Sequence, residues 1–208
     1  MNEIMDYGTF PQVLREATEY LSGLVQIDHS SDDGRVNSIA DERTVIKLLL
    51  EKYGGEVVQL PPPRWWFDVR LFGYPVQIKS SQFDNGDPDN LSSKLAILYA
   101  LTTTQEDQLE GHKWKDFESA LFGCRDIDNG RDHYIISIDK GTSRAYLASL
   151  KSLSILTPAS SNLPFQINWA KNTSPEIRNH AQAYDFIVGA YKTSVKRKLG
   201  AHPYHHQL

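Results

Sequence analysis

Cysteine is nearly absent from this chain: Cys124 stands alone in 208 residues. One thiol excludes an internal disulfide framework and any cysteine-built zinc site, and it fits a reducing compartment. Long apolar runs are missing too, and no stretch approaches the roughly 20 residues that a membrane-spanning helix needs. The opening residues MNEIMDYGTF carry acid where a secretory leader carries base, and no apolar segment follows. A surplus of basic charge is also lacking. Lys and Arg number 22 against 26 Asp and Glu, for a net charge of −4. The chain as a whole therefore has no general electrostatic pull toward nucleic acid, although net charge alone does not exclude a DNA partner. No Gly-x-Ser-x-Gly elbow, phosphate-cradling glycine loop or Cys–His nucleophile pattern occurs.

What the chain does contain is enough apolar material for one sizeable core. It is 40% hydrophobic, with ten tyrosines and four tryptophans, which argues against disorder. The expectation is a soluble, cytoplasmic protein with a single domain over 1–200 and a flexible tail over 201–208. Charge is unevenly placed. Acid collects between 84 and 118, and base near the end at Lys192, Lys196, Arg197 and Lys198.

Hydrophobic spacing predicts a first helix over 10–26, from Val13, Leu14, Ala17, Leu21 and Leu24. A second is predicted over 39–53, capped by Asn37 or Ser38, with Gly54 and Gly55 as its stop. The pattern then changes. Residues 56–60 read as a short strand, Pro61–Pro63 as a stiff connector, and 65–71 and 74–80 as strands around a turn at Phe72–Gly73. Phe67, Val69 and Leu71 alternate with Asp68 and Arg70; beyond the turn, Val76 and Ile78 alternate with Gln77 and Lys79. Residues 82–90 read as a loop, 91–103 and 114–122 as helices, and 133–139 and 144–149 as strands. The stretch 157–174 reads as irregular, and Pro175 as the opening of a last helix. Helices before and after a strand cluster predict an α/β fold, a mixed β-sheet flanked by α-helices.

Chemistry concentrates in Trp65–Ser81. The hairpin places Asp68 on one strand and Gln77 and Lys79 on its neighbour, projecting from one face. If Asp68 shares the face of Gln77 and Lys79, a carboxylate, an amide oxygen and an ammonium converge at one end of the sheet. Oxygen ligands of this kind suit Mg²⁺, which keeps several waters and takes few protein carboxylates. A lysine beside such an ion can orient water and stabilise charge growing on a phosphate.

At these residues the sequence resembles the PD-(D/E)XK nuclease superfamily, in particular type II restriction endonucleases. Asp68 matches the first acid and Gln77-Ile78-Lys79 the (D/E)-X-K tripeptide, in a Gln variant. Phe67 stands where the family places proline. The resemblance lies within about 40–80 and implies a mixed sheet flanked by helices. It also implies Mg²⁺-dependent cleavage of double-stranded DNA leaving 5′-phosphate ends, by a homodimer, as in restriction–modification. It further makes Glu42, on the preceding helix, a candidate extra acid and the Ile78 carbonyl a candidate metal ligand.

Residues for contacting DNA are expected around this site. Arg64 and Arg70 flank it as candidates for backbone phosphates. Asn85, Asn90 and Lys94 in one loop, and Asn168, Lys171 and Asn172 in another with Ser160, Asn162 and Gln166, offer base-edge groups. Trp65 and Trp66 alternate faces, so one belongs to the core, and stacking on a base is the less favoured use of the other. Asp84, Asp87 and Asp89 miss the spacing of a calcium loop and read as a polar turn. Two further readings stay open. Gln77 in place of an acid fits a catalytically inactive DNA-binding or regulatory protein on the same fold, and the negative net charge fits an unrelated α/β interaction protein.

Overall fold

The computed structural model describes residues 10–24, 34–63, 65–85, 89–91, 94–109, 114–159 and 165–200. Arg64, Ser160, Asn162, the segment 201–208 expected as a tail, and Asp87 lie outside them. In chain order the elements are α1 (Gln12–Leu21), α2 (Gly34–Tyr53), β1 (Val58–Gln59), β2 (Val69–Leu71) and β3 (Tyr74–Ser81). There follow β4 (Asp89–Leu91), α3 (Lys94–Leu101), α4 (Trp114–Leu121), β5 (Tyr134–Asp139) and β6 (Arg144–Ser149). The chain closes with β7 (Thr157–Pro158), β8 (Phe165–Ile167) and α5 (His180–Gly200). Backbone contacts divide the chain into two compact units.

The first unit is Thr9–Asp87 with His133–Leu150. Its five-stranded sheet runs β1-β2-β3-β5-β6. β3 and β5 are parallel and every other pair is antiparallel, so the sheet is mixed, and helices flank it as the element pattern predicts. Alternation explains its core. Val69 and Leu71 of β2, Val76 and Ile78 of β3, and Ile136 and Ile138 of β5 bury one face. Leu14, Ala17 and Leu21 of α1, with Val45 and Leu49 of α2, belong to the same cluster. Each such side chain is worth roughly 1.5–3 kcal/mol of burial, and the i, i+4 spacing of Val45 and Leu49 delivers two from one helix face. The β2–β3 hairpin turns on Phe72 and Gly73, with φ of 51° and 84°. A two-residue turn with both φ positive matches the twist of the strands, and glycine takes that conformation without strain.

The second unit contains Pro88–Asp132 and Lys151–Leu208. It holds α3, α4, α5 and a three-stranded antiparallel sheet of order β4-β8-β7. Buried Phe117, Leu98, Leu101, Ile187 and Trp169 supply its core.

Several boundaries differ from the sequence expectation. α2 is already helical at Gly34, so Asn37 and Ser38 lie inside it rather than capping it. The strand expected over 65–71 is regular only from Val69, because the Trp65 N–H turns back to donate to Pro62 O at 3.3 Å. The stretch 157–174 is not irregular: it carries β7, β8 and a 3-10 turn, Trp169–Asn172. Phe165 and Ile167 are buried around half-buried Gln166, a period-two signal too short to read alone. Pro175 does not open α5. Asn179 caps it instead: its side chain accepts from Gln182 N at 2.9 Å, and the Gln182 side chain accepts from Asn179 N at 3.0 Å. This reciprocal cap satisfies two donors that a helix start leaves unpaired. Upstream, Glu176 N donates to Ser152 O and the Arg178 guanidinium to Leu153 O, which keeps 176–178 extended. The predicted 82–90 loop contains a 3-10 turn at Phe83–Asn85 and the start of β4.

Candidate active site

The candidate site lies wholly in the first unit. Val69 pairs with Val76, which carries Asp68 to a place opposite Gln77, and Asp68 N donates to Val76 O at 3.0 Å. The Asp68 side chain then turns onto the tripeptide: its Oδ2 accepts from Ile78 N at 2.7 Å. That charge-assisted bond locks the first acid to the strand bearing Gln77 and Lys79. Gln77 is buried and Lys79 half-buried, and period two sets both on the face opposite the Val76 and Ile78 core.

Glu42 reaches the same place from α2. Burial raises its carboxyl above the ordinary range, the nearby Asp68 charge raises it further, and Lys79 and Arg43 oppose that rise. Asp68 is also raised by burial, against the Ile78 hydrogen bond and Lys79, which favour its charged form. Two carboxylates and a lysine thus share one electrostatic field. Among the described residues, however, none of the three closes an ion pair with another. Burial of both acids, and for Glu42 the Asp68 charge beside it, disfavour ionisation, a setting that an added cation would relieve.

Beside the two acids opens a cleft of about 560 Å³. Glu42, Arg43 and Ile46 of α2 form one side; the connector Leu60–Pro63, with Trp65 and Phe67, forms the other, and Asp68 lies among them. The tryptophan pair divides into one buried and one half-exposed ring, although residues 65–68 are not regular strand and Phe67 is buried as well. Trp66 is buried against Phe67 at 4.8 Å and His133 at 5.6 Å between ring centroids, while half-buried Trp65 lines the cleft. His133 is fully buried, and burial, then the Lys79 charge, hold its pKa down to about 3.

A second cluster, which sequence reasoning missed, joins α2, β3 and the β5–β6 turn. Asp41 is buried; its Oδ2 accepts from Ser80 Oγ at 2.7 Å and pairs with Lys140 Nζ at 2.6 Å. Asp41 precedes Glu42 and Ser80 follows Lys79, so this clamp fixes α2 against β3 one residue from the candidate site. Only the acidic doublet Asp41-Glu42 signals it in the sequence; the pairing spans 39 residues.

The residues proposed for DNA contact are scattered. Arg70 is half-buried, donates to Gly73 O at 3.0 Å and lies over the Phe67 ring. Asn85 ends the 3-10 turn, and Asn90 pairs with Gln166 between β4 and β8. In the second unit, Lys94 begins α3 and Lys171 is exposed. Asn168 Oδ1 accepts from Lys171 N. Asn172 is buried, and its amide bonds Ile155 N, Ile155 O and Asn168 O, so it ties its loop together rather than presenting an edge to solvent.

Mg²⁺ can be tested against these donors. Among the described residues no three His, Cys, Asp or Glu side chains cluster as a metal cage. Mg²⁺ does not require one, since one or two carboxylates with water and substrate oxygens suffice. Asp68 and Glu42 line one cleft and offer two carboxylates, oxygen donors of the kind and number that Mg²⁺ takes, whereas buried Gln77 is not among the residues that line it.

No family model matches the chain, and no curated protein matches it. Among solved structures it is similar to a restriction endonuclease in complex with substrate DNA, at 19% identity, 61% coverage of this chain and a TM-score of 0.28. The match spans half of that protein's chain. No described helix is long and apolar enough to cross a membrane.

Proposed function

We propose that this chain is a Mg²⁺-dependent endonuclease that cuts double-stranded DNA at a specific sequence, as type II restriction enzymes do. One observation carries the reading. The Asp68 carboxylate is hydrogen-bonded to the backbone of the Gln77-Ile78-Lys79 tripeptide, with Glu42 coupled to both Asp68 and Lys79. Asp68, Gln77, the Ile78 carbonyl and Glu42 would hold the metal, which supplies charge neutralisation at the phosphate and a more acidic water.

Lys79 orients the attacking water and stabilises the charge that grows on the scissile phosphate. Asp68, fixed by Ile78 N, keeps its second oxygen for the ion. The buried Asp41–Lys140 clamp holds Glu42 at a fixed height along β3. The water oxygen bonds to phosphorus as the bond to O3′ breaks, which leaves a 5′-phosphate and a 3′-hydroxyl. Two strands need two such sites, so the working form in this reading is a homodimer.

The test incubates the protein with long unmethylated duplex DNA, with Mg²⁺ or with chelator, beside Lys79→Ala. Discrete fragments that need both Mg²⁺ and Lys79 are the expected result, and cleavage retained by Lys79→Ala would sink the assignment. Gln77 favours a second reading, a DNA-binding or regulatory protein without catalysis, because an amide brings the ion no charge. Specific, Mg²⁺-independent binding without cutting would establish it.

A further inference from the structure

The cleft beside the two acids has two chemically distinct parts. One is polar, formed by Glu42, Arg43 and Asp68. The other is apolar and flat, formed by the proline connector, exposed Leu60 and the half-buried indole of Trp65. Trp66 and Phe67 are both buried in the irregular stretch before β2, while Trp65 is left half-exposed on the cleft. The Trp65 N–H bond to Pro62 O and the fixed φ of three consecutive prolines hold the shelf in place before anything binds. A rigid aromatic on a rigid connector loses little conformational entropy when a ring is laid on it.

We infer that Trp65 and the proline shelf stack an unstacked nucleobase of the strand whose phosphate sits at Asp68 and Glu42, a deepening that rests on the nuclease reading. The occupant follows from both halves of the cleft together. A purely apolar ligand would leave the two carboxylates buried beside it without compensation. A bare phosphate would leave the shelf wet. A nucleotide joins a flat π-face to an anion that a cation can bridge to the acids. Bases inside a duplex are stacked on one another and present no face to Trp65. The strand is therefore single-stranded there, or has the base next to the scissile bond swung out.

The experiment measures binding apart from catalysis. A short single-stranded oligodeoxynucleotide of mixed sequence is titrated in Ca²⁺ into wild type, Trp65→Phe and Trp65→Ala. Indole fluorescence and anisotropy are the readouts. The same oligomer with all bases removed serves as a second probe. Wild type should quench on binding, and Trp65→Ala should bind about 5- to 150-fold more weakly with most of the quench gone. Trp65→Phe should keep part of the affinity. The abasic oligomer should bind wild type about as weakly as the intact oligomer binds Trp65→Ala.

Equal affinity of wild type and Trp65→Ala, or no preference for the intact over the abasic strand, overturns the inference. So does a changed oligomeric state of Trp65→Ala with unaltered oligomer affinity, because the shelf would then be covered by a second copy. Circular dichroism of both variants confirms that they fold. If Mg²⁺-dependent cleavage is present but binding ignores Trp65, the stacking inference fails and the nuclease reading stands. If binding depends on Trp65 and nothing is cut, the nuclease reading fails and the shelf stands. If no oligomer binds, the stacking inference falls, and the nuclease reading is decided by the duplex cleavage test alone.

Discussion

Two acid–lysine clusters lie next to each other, each joining α2 to β3 and to one residue outside both, and they are built in opposite ways. In the first, Asp41, Ser80 and Lys140 are closed on one another: a buried carboxylate oxygen takes both a hydroxyl and an ammonium within 2.7 Å. In the second, Glu42, Asp68 and Lys79 influence one another electrostatically without closing an ion pair among the described residues, and both acids face a cleft. A satisfied cluster holds the fold. One left open stores electrostatic free energy that a ligand or cation can release, which makes it the candidate site.

The contrast breaks most sharply at the lysines. Lys79→Ala is expected to lose on the order of 10²–10³-fold in cleavage rate while its urea midpoint stays near wild type. Asp41→Ala should do the reverse to stability, costing about 1–3 kcal/mol because half-buried Lys140 and Ser80 Oγ both lose their buried partner. Urea unfolding measures it, and an unchanged midpoint would show that the clamp is not structural. Glu42→Gln, one residue away, should leave stability within about 0.5 kcal/mol yet weaken Mg²⁺ binding about tenfold or more, read by calorimetry.

His133 gives a pH test of the same region. Its folded pKa, near 3, lies below the ordinary 6.5. As pH falls below that ordinary value the unfolded chain takes up the proton first. The His133 contribution is therefore intact above pH 6.5 and is lost progressively toward pH 3. The loss is at most about 1.4 kcal/mol per pH unit. Comparison of wild type with His133→Phe across that window isolates it; parallel curves would show that His133 does not stay neutral in the fold. The smallest effect is expected at Gln77. Gln77→Glu adds a charge to the metal set and should lower the Mg²⁺ concentration needed for half-maximal cleavage a few-fold, about 1 kcal/mol or less.

Much of this arrangement can be read from residue order. Helix stripes such as Leu14, Ala17 and Leu21, and the alternation through Val69–Lys79, follow from periods that a chain displays locally. The hairpin turn at Phe72–Gly73 is equally local, so Asp68 and the tripeptide could be set on neighbouring strands without coordinates. The cap of α5 was legible in principle as Asn179–Gln182, yet Pro175 offered a competing start. β4, β7 and β8 were not legible, since each is three residues or fewer and exists through its pairing.

The sequence by itself determined the periodicities, the hairpin, and the identity and order of Asp68, Gln77 and Lys79, because those depend on neighbours within one turn or one strand pair. Tertiary structure alone decided that Asp41 would be spent on Ser80 and Lys140 while Glu42 stayed open to Asp68. It also turned Trp65 toward the cleft and Trp66 toward His133. Burial and long-range pairing set those outcomes, and desolvation acts on a carboxylate or an indole only once the chain has enclosed it.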